Sequence, residues 1–173
     1  YNGTFAVSST ATVKAIAVKD EYITSAMASS TITVDGTPVS KDTNIALGKN
    51  VQVSSAENAT VGGDKIVDND TSTRWSSEFS DDQWFVVDLG KNYTINKVTF
   101  NWEAAYAKAY KVQTSTDGNN WNTVYETSNC KGGEESIVFD ATTCRYVKMQ
   151  GVKRALDYGY SLWEMGIYEA ATV

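Results

Sequence analysis

Residues 97–102, Lys-Val-Thr-Phe-Asn-Trp, alternate strictly between polar and apolar side chains. A period of two is typical of a β-strand with one buried face, and it places Val98, Phe100 and Trp102 on the same side. Further along the chain, Asp117–Gly118 separates two strand-like runs, and this dipeptide favours a tight hairpin. Short strands that recur between such turns predict an all-β sandwich.

The run Trp84–Leu89 is apolar at nearly every position, which predicts a strand buried on both of its faces. Aromatic residues make up 12% of the 173 residues, more than a single core requires, so we expect some of them at a binding surface. The large aromatic side chains assigned to the core are Trp75, Trp84, Trp121, Tyr160 and Trp163.

The chain contains no histidine and has a net charge of −6. The absence of histidine excludes a Ser/His/Asp triad and a histidine-ligated zinc site. A negative surface without a basic run repels phosphate backbones and anionic lipids. We therefore expect no nucleic-acid partner and no membrane partner.

The loop Lys65–Trp75 brings the oxygens of Asp68, Asp70 and Thr73 close together in sequence. Hard cations such as calcium prefer several oxygen ligands on a bent backbone. The spacing does not match an EF-hand, because the glycine and the final glutamate of that loop are missing. Taken alone, such a cluster of Asp, Asn and Thr is more often a solvated turn than a metal site.

Residues 44–169 resemble the coagulation factor V/VIII type C (discoidin) domain, and specifically the family 32 carbohydrate-binding modules. The resemblance implies a discoidin-type β-sandwich, or jelly roll, that binds polysaccharides or oligosaccharides without catalysing a reaction. The matching segments are Asn44–Lys49, Lys65–Trp75, Gln83–Gly90, Ser115–Trp121, Arg145–Met149 and Trp163–Tyr168.

The resemblance also implies a structural calcium ion. Its ligands would be the Asp68 side chain, the backbone oxygens of Lys65 and Asp70, both oxygens of Thr73, and Glu164. We further expect a disulfide between Cys130 and Cys144, because both flank one predicted hairpin and the family is extracellular. Two buried free thiols are the alternative.

The organisation predicted from the sequence has three parts. Residues 1–35 form a partial immunoglobulin-like segment, since Phe5–Val34 resembles the domain at the ends of chitobiases. Residues 36–43 form a linker, and residues 44–169 form the carbohydrate-binding module. We expect the chain to be a fragment or mature product of a larger secreted polysaccharide-degrading enzyme, whose other domains are its partners.

Three loops and a neighbouring turn carry the candidate sugar contacts, which combine aromatic faces with polar groups. The resemblance to modules of β-glucan- and chitosan-degrading enzymes implies polar contacts at Glu57, Arg74, Glu103 and Tyr158, and aromatic faces at Phe79, Trp102 and Tyr106. Glu78 is a further carboxylate candidate in these loops. Two alternatives stay open: Trp102 shares the parity of core residues, and Arg74 could only brace the calcium loop. Galactose-binding relatives use a histidine, so an amino sugar or a β-glucan fits this chain better than terminal galactose.

Two other functions compete with this interpretation. A discoidin domain can serve in adhesion or lipid binding, but the loops here are short and acidic. A β-jelly-roll hydrolase or lyase would need a pair of carboxylates, which Glu57, Glu78 and Glu103 could supply. The sequence favours a secreted binding module with calcium over both.

Overall fold

A computed structural model describes residues 10–32 and 39–171 of the chain, and these two ranges belong to two separate compact units. In the first unit, strands β1 (Ala11–Ala15) and β2 (Ala28–Ile32) form an antiparallel ribbon. Most of its side chains are exposed. Phe5, Val34 and residues 36–38 of the predicted segment and linker lie outside the described residues, so these assignments remain predictions.

The second unit is built almost entirely from antiparallel strands. A short 3-10 helix, Gly63–Val67, is its one helical element within the described ranges. The strands are β3 (Ser40–Asn44), β4 (Asn50–Val53), β5 (Trp75–Ser76), β6 (Trp84–Trp102), β7 (Ala107–Ser115), β8 (Asn122–Thr127), β9 (Glu134–Arg154) and β10 (Ser161–Ala170). None of the described helical segments has the length and hydrophobicity needed to cross a bilayer.

The long strands β6 and β9 pair with each other along most of their length and run through both layers of the sandwich. The first half of β6 and the second half of β9 join β4, β7 and β8 in a five-stranded layer. The remaining halves join β3, β5 and β10 in the opposite layer. The predicted all-β discoidin-type sandwich is confirmed.

The core lies between these layers and is filled by the alternating inward positions of the strands. Val98, Phe100 and Trp102 are all buried, as their alternation predicts. The Asp117–Gly118 turn lies between β7 and β8, also as predicted. Trp75 is fully buried and meets the Phe85 ring edge-on, with 5.4 Å between the ring centroids.

The prediction that the strand Trp84–Leu89 is buried on both of its faces is wrong. Phe85, Val87 and Leu89 are buried, whereas Trp84 and Val86 are only half-buried. The strand therefore has one core face and one outward face, because it belongs to the five-stranded layer and no element covers that side among the described residues. Trp121 and Trp163, also assigned to the core, are half-buried, while Tyr160 is fully buried.

Two further features differ from expectation. Residues 40–43, placed in the linker from the sequence, belong to β3, which pairs with β10. The predicted disulfide is wrong, because Cys130 and Cys144 are both free and buried. Cys144 lies opposite Tyr93, whereas Cys130 contacts Glu135, which lies opposite Phe100. Tyr93 and Phe100 are seven positions apart on β6, which corresponds to about 23 Å along the strand. This separation is far beyond the reach of a disulfide.

Candidate functional site

A cleft of about 300 Å³ lies where several loops meet beside β5 and the start of β10. We call it the loop-end cleft. Five of the predicted sugar contacts line it together: Glu57, Arg74, Phe79, Glu103 and Tyr158. Ser76, Ala104, Ala105, Leu156 and Ser161 complete the lining.

Strand β5 positions one wall of the loop-end cleft. Ser76 pairs with Ser161 of β10, which fixes Arg74 just before the strand. The Glu57 backbone N–H donates to the Ser76 carbonyl oxygen at 2.8 Å, and the Ser76 hydroxyl donates to Glu57 Oε2 at 2.9 Å. Glu57 therefore keeps one carboxylate oxygen that accepts no hydrogen bond from the described residues.

The loop between β6 and β7 forms the opposite wall. The Glu103 backbone N–H donates to the Ser161 carbonyl oxygen at 3.1 Å, and Ser161 N–H donates to the Ala105 carbonyl oxygen at 2.8 Å. The loop is thus tied to β10 on both sides of its turn. Glu103 Oε2 accepts a hydrogen bond from Ala105 N–H at 2.9 Å, which fixes the direction of the carboxylate.

Two exposed aromatic rings stand at the rim. Phe79 and Tyr158 are 53% and 63% exposed, and their ring centroids are 5.9 Å apart in an edge-to-face arrangement. Gly159 lets the segment after Tyr158 lie directly against Ser77, because a Cβ at this position would collide with the Ser77 carbonyl oxygen. Exposed rings beside a polar cleft can stack against the apolar face of a pyranose.

The charged groups of the loop-end cleft are not neutralised by one another. Within the described residues, no ion pair joins Arg74 to Glu57 or Glu103. The Arg74 guanidinium lies 5.8 Å from the centre of the Trp163 ring. Arg74 Nε and Ser161 Oγ are buried without a hydrogen-bond partner in the described part of the chain. The cleft therefore retains hydrogen-bonding capacity for a polar ligand.

Three predicted contacts do not line the cleft. The prediction of Trp102 as a sugar-facing ring is wrong: it is 3% exposed and its indole Nε1 donates to Glu135 Oε2 at 2.9 Å. Tyr106 is half-buried, packs on the core and covers Gly132. Glu78 is exposed near the cleft but is not one of its lining residues.

Ser76, Leu156 and Ser161 also line the cleft, although the sequence does not mark them as site residues. Ser76 and Ser161 are buried serines on two strands that are distant in sequence, and no local pattern marks them as part of a site. Leu156 is 46% exposed, but a single exposed leucine is ordinary on a protein surface. The pairing of β5 with β10 brings Ser76 and Ser161 together.

The calcium loop predicted from the sequence has converging oxygens. The Asp70 backbone N–H donates both to Asp68 Oδ1 at 3.0 Å and to Glu164 Oε1 at 2.9 Å. The Thr73 hydroxyl donates to Asp68 Oδ2 at 2.8 Å and to the Asp70 carbonyl oxygen at 3.1 Å. Asn69 has a positive φ of 62°, which bends the loop sharply, and asparagine tolerates that conformation well.

The chemistry of this cluster fits a calcium ion. Burial, followed by the neighbouring Asp68 carboxyl group, raises the pKa of Glu164 to about 7. The Asp70 carboxylate turns away to accept hydrogen bonds from Ser72, so Asp70 contributes its backbone oxygen to the cluster. The described residues include no group of three or more His, Cys, Asp or Glu side chains placed as ligands. A cation here would be held by the carboxylates of Asp68 and Glu164 together with neutral oxygens.

Lys65 occupies the 3-10 helix that precedes this loop, and its ammonium group pairs with Asp64 at 3.0 Å. Hydrogen bonding to Asp64 raises the pKa of Lys65. The Lys65 side chain thus points to Asp64 and does not neutralise the Asp68–Glu164 pair by a direct contact. A backbone oxygen of Lys65 as calcium ligand remains a prediction.

The fold and the loop-end cleft define a β-sandwich binding module. The F5/8 type C domain family matches residues 50–165, well over half of the 173 residues. The chain belongs to this family.

Solved structures of similar modules agree with this assignment. Chitosan-binding module 1 from a chitosanase/glucanase of Paenibacillus sp. IK-5 is 45% identical, with a TM-score of 0.71; the match covers 73% of this chain and 98% of that one. Module 2 of the same enzyme, solved in complex with chitotriose, is 43% identical with a TM-score of 0.71, covering 72% and 99% of the two chains. These neighbours are carbohydrate-binding modules, in agreement with the expectation of a binding module and not an enzyme.

A curated relative is the polysaccharide lyase 8 family protein HylA of Enterococcus faecalis. It is 32% identical over 123 residues, which cover 64% of this chain. The match spans only 9% of the length of that protein. The similarity therefore concerns one module of a much longer protein.

Proposed function

We propose that this chain binds chitosan-like oligosaccharides in the loop-end cleft and holds a parent polysaccharide-degrading enzyme on its substrate. The observation that carries the proposal is the pair of carboxylates, Glu57 and Glu103, on opposite walls of one cleft. A glucosamine unit carries an ammonium group, for which carboxylates are the matching acceptors. The neutral hydroxyl groups of a β-glucan can donate to the same carboxylates, but an ammonium group forms the stronger hydrogen bonds because both partners are charged.

The remaining groups of the cleft suit the rest of a sugar chain. The rings of Phe79 and Tyr158 offer apolar surface for a pyranose, and Arg74 can donate to its hydroxyl groups. The similar chitosan-binding modules belong to a chitosanase/glucanase, which supports a parent enzyme of the same kind. The proposal includes secretion of that enzyme. Tethering then raises the effective concentration of the catalytic domain at the polymer.

The proposal includes a structural calcium ion held by Asp68, Asp70, Thr73 and Glu164, with Lys65 contributing a backbone oxygen. Its support is the convergence of oxygens at one point between the loop and β10. The ion would tie the loop that precedes Arg74 to the strand that carries Ser161. Calcium would therefore act on sugar binding through the position of these elements.

Calorimetric titration with three trisaccharides tests the proposed ligand. We expect glucosamine trisaccharide to bind with a Kd between roughly micromolar and millimolar, or about −8 to −4 kcal/mol. The N-acetylated trisaccharide has the same length but no ammonium groups, and we expect it to bind at least ~10-fold more weakly, as does the corresponding glucose trisaccharide. Equal affinity for all three, or no heat of binding at millimolar ligand, would contradict the proposal.

A further inference from the structure

A second groove lies on the outward face of the five-stranded layer, and it shares no lining residue with the loop-end cleft. We call it the sheet groove. It has a volume of about 360 Å³, and its main walls are Trp84, Trp121, Tyr146 and Lys148. Volumes of roughly 300 Å³ and above are usual for ligand sites.

Strand alternation directs these side chains outward. Val86 of β6 lies opposite Lys148 of β9, while the intervening Phe85 and Val147 point into the core. Trp84 lies on the same outward face of β6 as Val86, two positions away. The four side chains that form the walls of the sheet groove are half-buried. Each is therefore partly packed against the protein and partly exposed to solvent.

Lys148 forms no ion pair in the described part of the chain. The Asp82 carboxylate acts on it only through a weaker electrostatic attraction. Its Nζ lies 5.4 Å from the centre of the Trp84 ring and 5.6 Å from that of Trp121. The nearby Arg145 differs, because Asp88 accepts two hydrogen bonds from it at 2.8 Å each. Burial between the rings lowers the pKa of Lys148, a cost that an anionic ligand would offset.

The hairpin that carries Trp121 is held in place before any ligand arrives. Asp117 Oδ1 accepts hydrogen bonds from the backbone N–H groups of Asn119 and Asn120, at 2.9 and 2.8 Å. Gly118 has a φ of +77°, and a Cβ there would lie 3.5 Å from the Tyr146 ring. A preorganised aromatic wall lowers the entropic cost of binding.

We propose that the sheet groove is a second carbohydrate site, and that it takes an acidic sugar of the uronic acid class. The rings of Trp84 and Trp121 would stack against pyranose faces, while the Lys148 ammonium pairs with the sugar carboxylate. A single-stranded nucleic acid could also stack on these rings, but it requires several cations along its backbone. The sheet groove supplies one unpaired cation on a chain with a net charge of −6.

The two grooves would then have opposite preferences. The loop-end cleft carries the carboxylates of Glu57 and Glu103, whereas the sheet groove carries the ammonium group of Lys148. An acidic sugar is repelled from the first and attracted to the second. The chain could therefore contact two different chemical regions of a mixed polysaccharide matrix at once.

Tryptophan fluorescence titration of the full chain with two matched trisaccharides tests this proposal. One is a glucose trisaccharide, and the other is its counterpart with a carboxylate at C6 of each unit. We expect the acidic trisaccharide to change the fluorescence with a Kd at or below the millimolar range. Lys148→Met should weaken its binding at least ~10-fold and leave binding of glucosamine trisaccharide unchanged.

Lys111→Met is the matched control, since Lys111 lies on the same layer and pairs with Glu126 at 3.6 Å. It removes the same charge and should leave the affinity for the acidic trisaccharide within ~2-fold of the parent chain. Lys148→Arg keeps the charge and should retain most of the affinity. The proposal is overturned by absence of binding at millimolar acidic trisaccharide, by equal binding in Lys148→Met, or by loss of this binding in Glu103→Gln.

Discussion

Chelation of calcium is expected to lower the midpoint of thermal unfolding of the module by roughly 5–10 °C. A ligand present at 100 times its Kd stabilises the folded state by about 2.7 kcal/mol. For a chain of this size, each kcal/mol corresponds to roughly 2–4 °C. Calorimetry or circular dichroism in excess calcium and in excess chelator measures the difference.

The physical reason is the meeting of two carboxylates at the Asp68 loop. Asp68 and Glu164 both accept from the Asp70 N–H, and they come from segments far apart in sequence. Without a cation, the two carboxyl groups share one donor, and repulsion between their charged forms opposes the joining of the loop to β10 and keeps the pKa of Glu164 raised. A bound calcium ion turns this repulsion into attraction and so locks the loop onto the final strand.

Variants of the two neighbouring aspartates separate calcium binding from general loop damage. Asp68→Asn removes one charge of the pair, so we expect it to abolish the response to calcium. In chelator, its stability should equal or exceed that of the parent chain, because the repulsion is reduced. Asp64→Asn removes an exposed charge that pairs with Lys65, and it should leave the calcium response intact. A parent chain whose melting is the same in calcium and chelator would contradict the calcium site.

The double substitution Glu57→Gln with Glu103→Gln should reduce the affinity for glucosamine trisaccharide by roughly 100-fold or more. A hydrogen bond to a charged group contributes about 1.5–3 kcal/mol, or at least ~10-fold in Kd, and the two walls act on different faces of the ligand. Glutamine keeps the length of the side chain and an oxygen that can accept from Ser76 and Ala105. The fold should therefore persist, and calorimetric titration measures the change.

Glu78→Gln is the matched control for this double variant. Glu78 is an exposed carboxylate near the loop-end cleft but outside its lining, so its removal makes the same kind of charge change. We expect an affinity within ~2-fold of the parent chain. If Glu78→Gln weakens binding as strongly as either single wall variant, the effect is one of net charge and the assignment of the walls is wrong.

The fold could be predicted well from the sequence because strand alternation and turn dipeptides act locally. Val98 and Phe100 are buried as their parity requires, and Gly118 turns the β7–β8 hairpin. The direction that an aromatic side chain faces is harder to predict. Trp102 follows the parity of Val98 and Phe100 into the core, where Glu135 of another strand accepts a hydrogen bond from its indole N–H. Trp84 faces outward because its strand has one uncovered side in the described structure.

The candidate site could be predicted only in part, because residues that are far apart in the sequence come together to form it. Five of the proposed sugar contacts share one cleft, and they were found through resemblance to a family and not through local patterns. The contact of Asp70 with Glu164 likewise joins distant segments. Ser161 carried no signal at all, since its place in the site depends on pairing with Ser76. The predicted disulfide is wrong because Cys144 lies in the middle of β9, whereas Cys130 lies in the turn before that strand and contacts Glu135 near its start.

Amide NMR of the isotope-labelled chain during titration with glucosamine trisaccharide shows whether the loop-end cleft binds an amino sugar. We expect concentration-dependent shifts at the amides of Ser76, Glu103, Ala105 and Tyr158, with little change at Trp121 and Lys148. Saturation should follow the Kd from calorimetry. If no shifts occurred at the walls of the loop-end cleft, or if they clustered in the sheet groove, the amino-sugar site would not be the loop-end cleft.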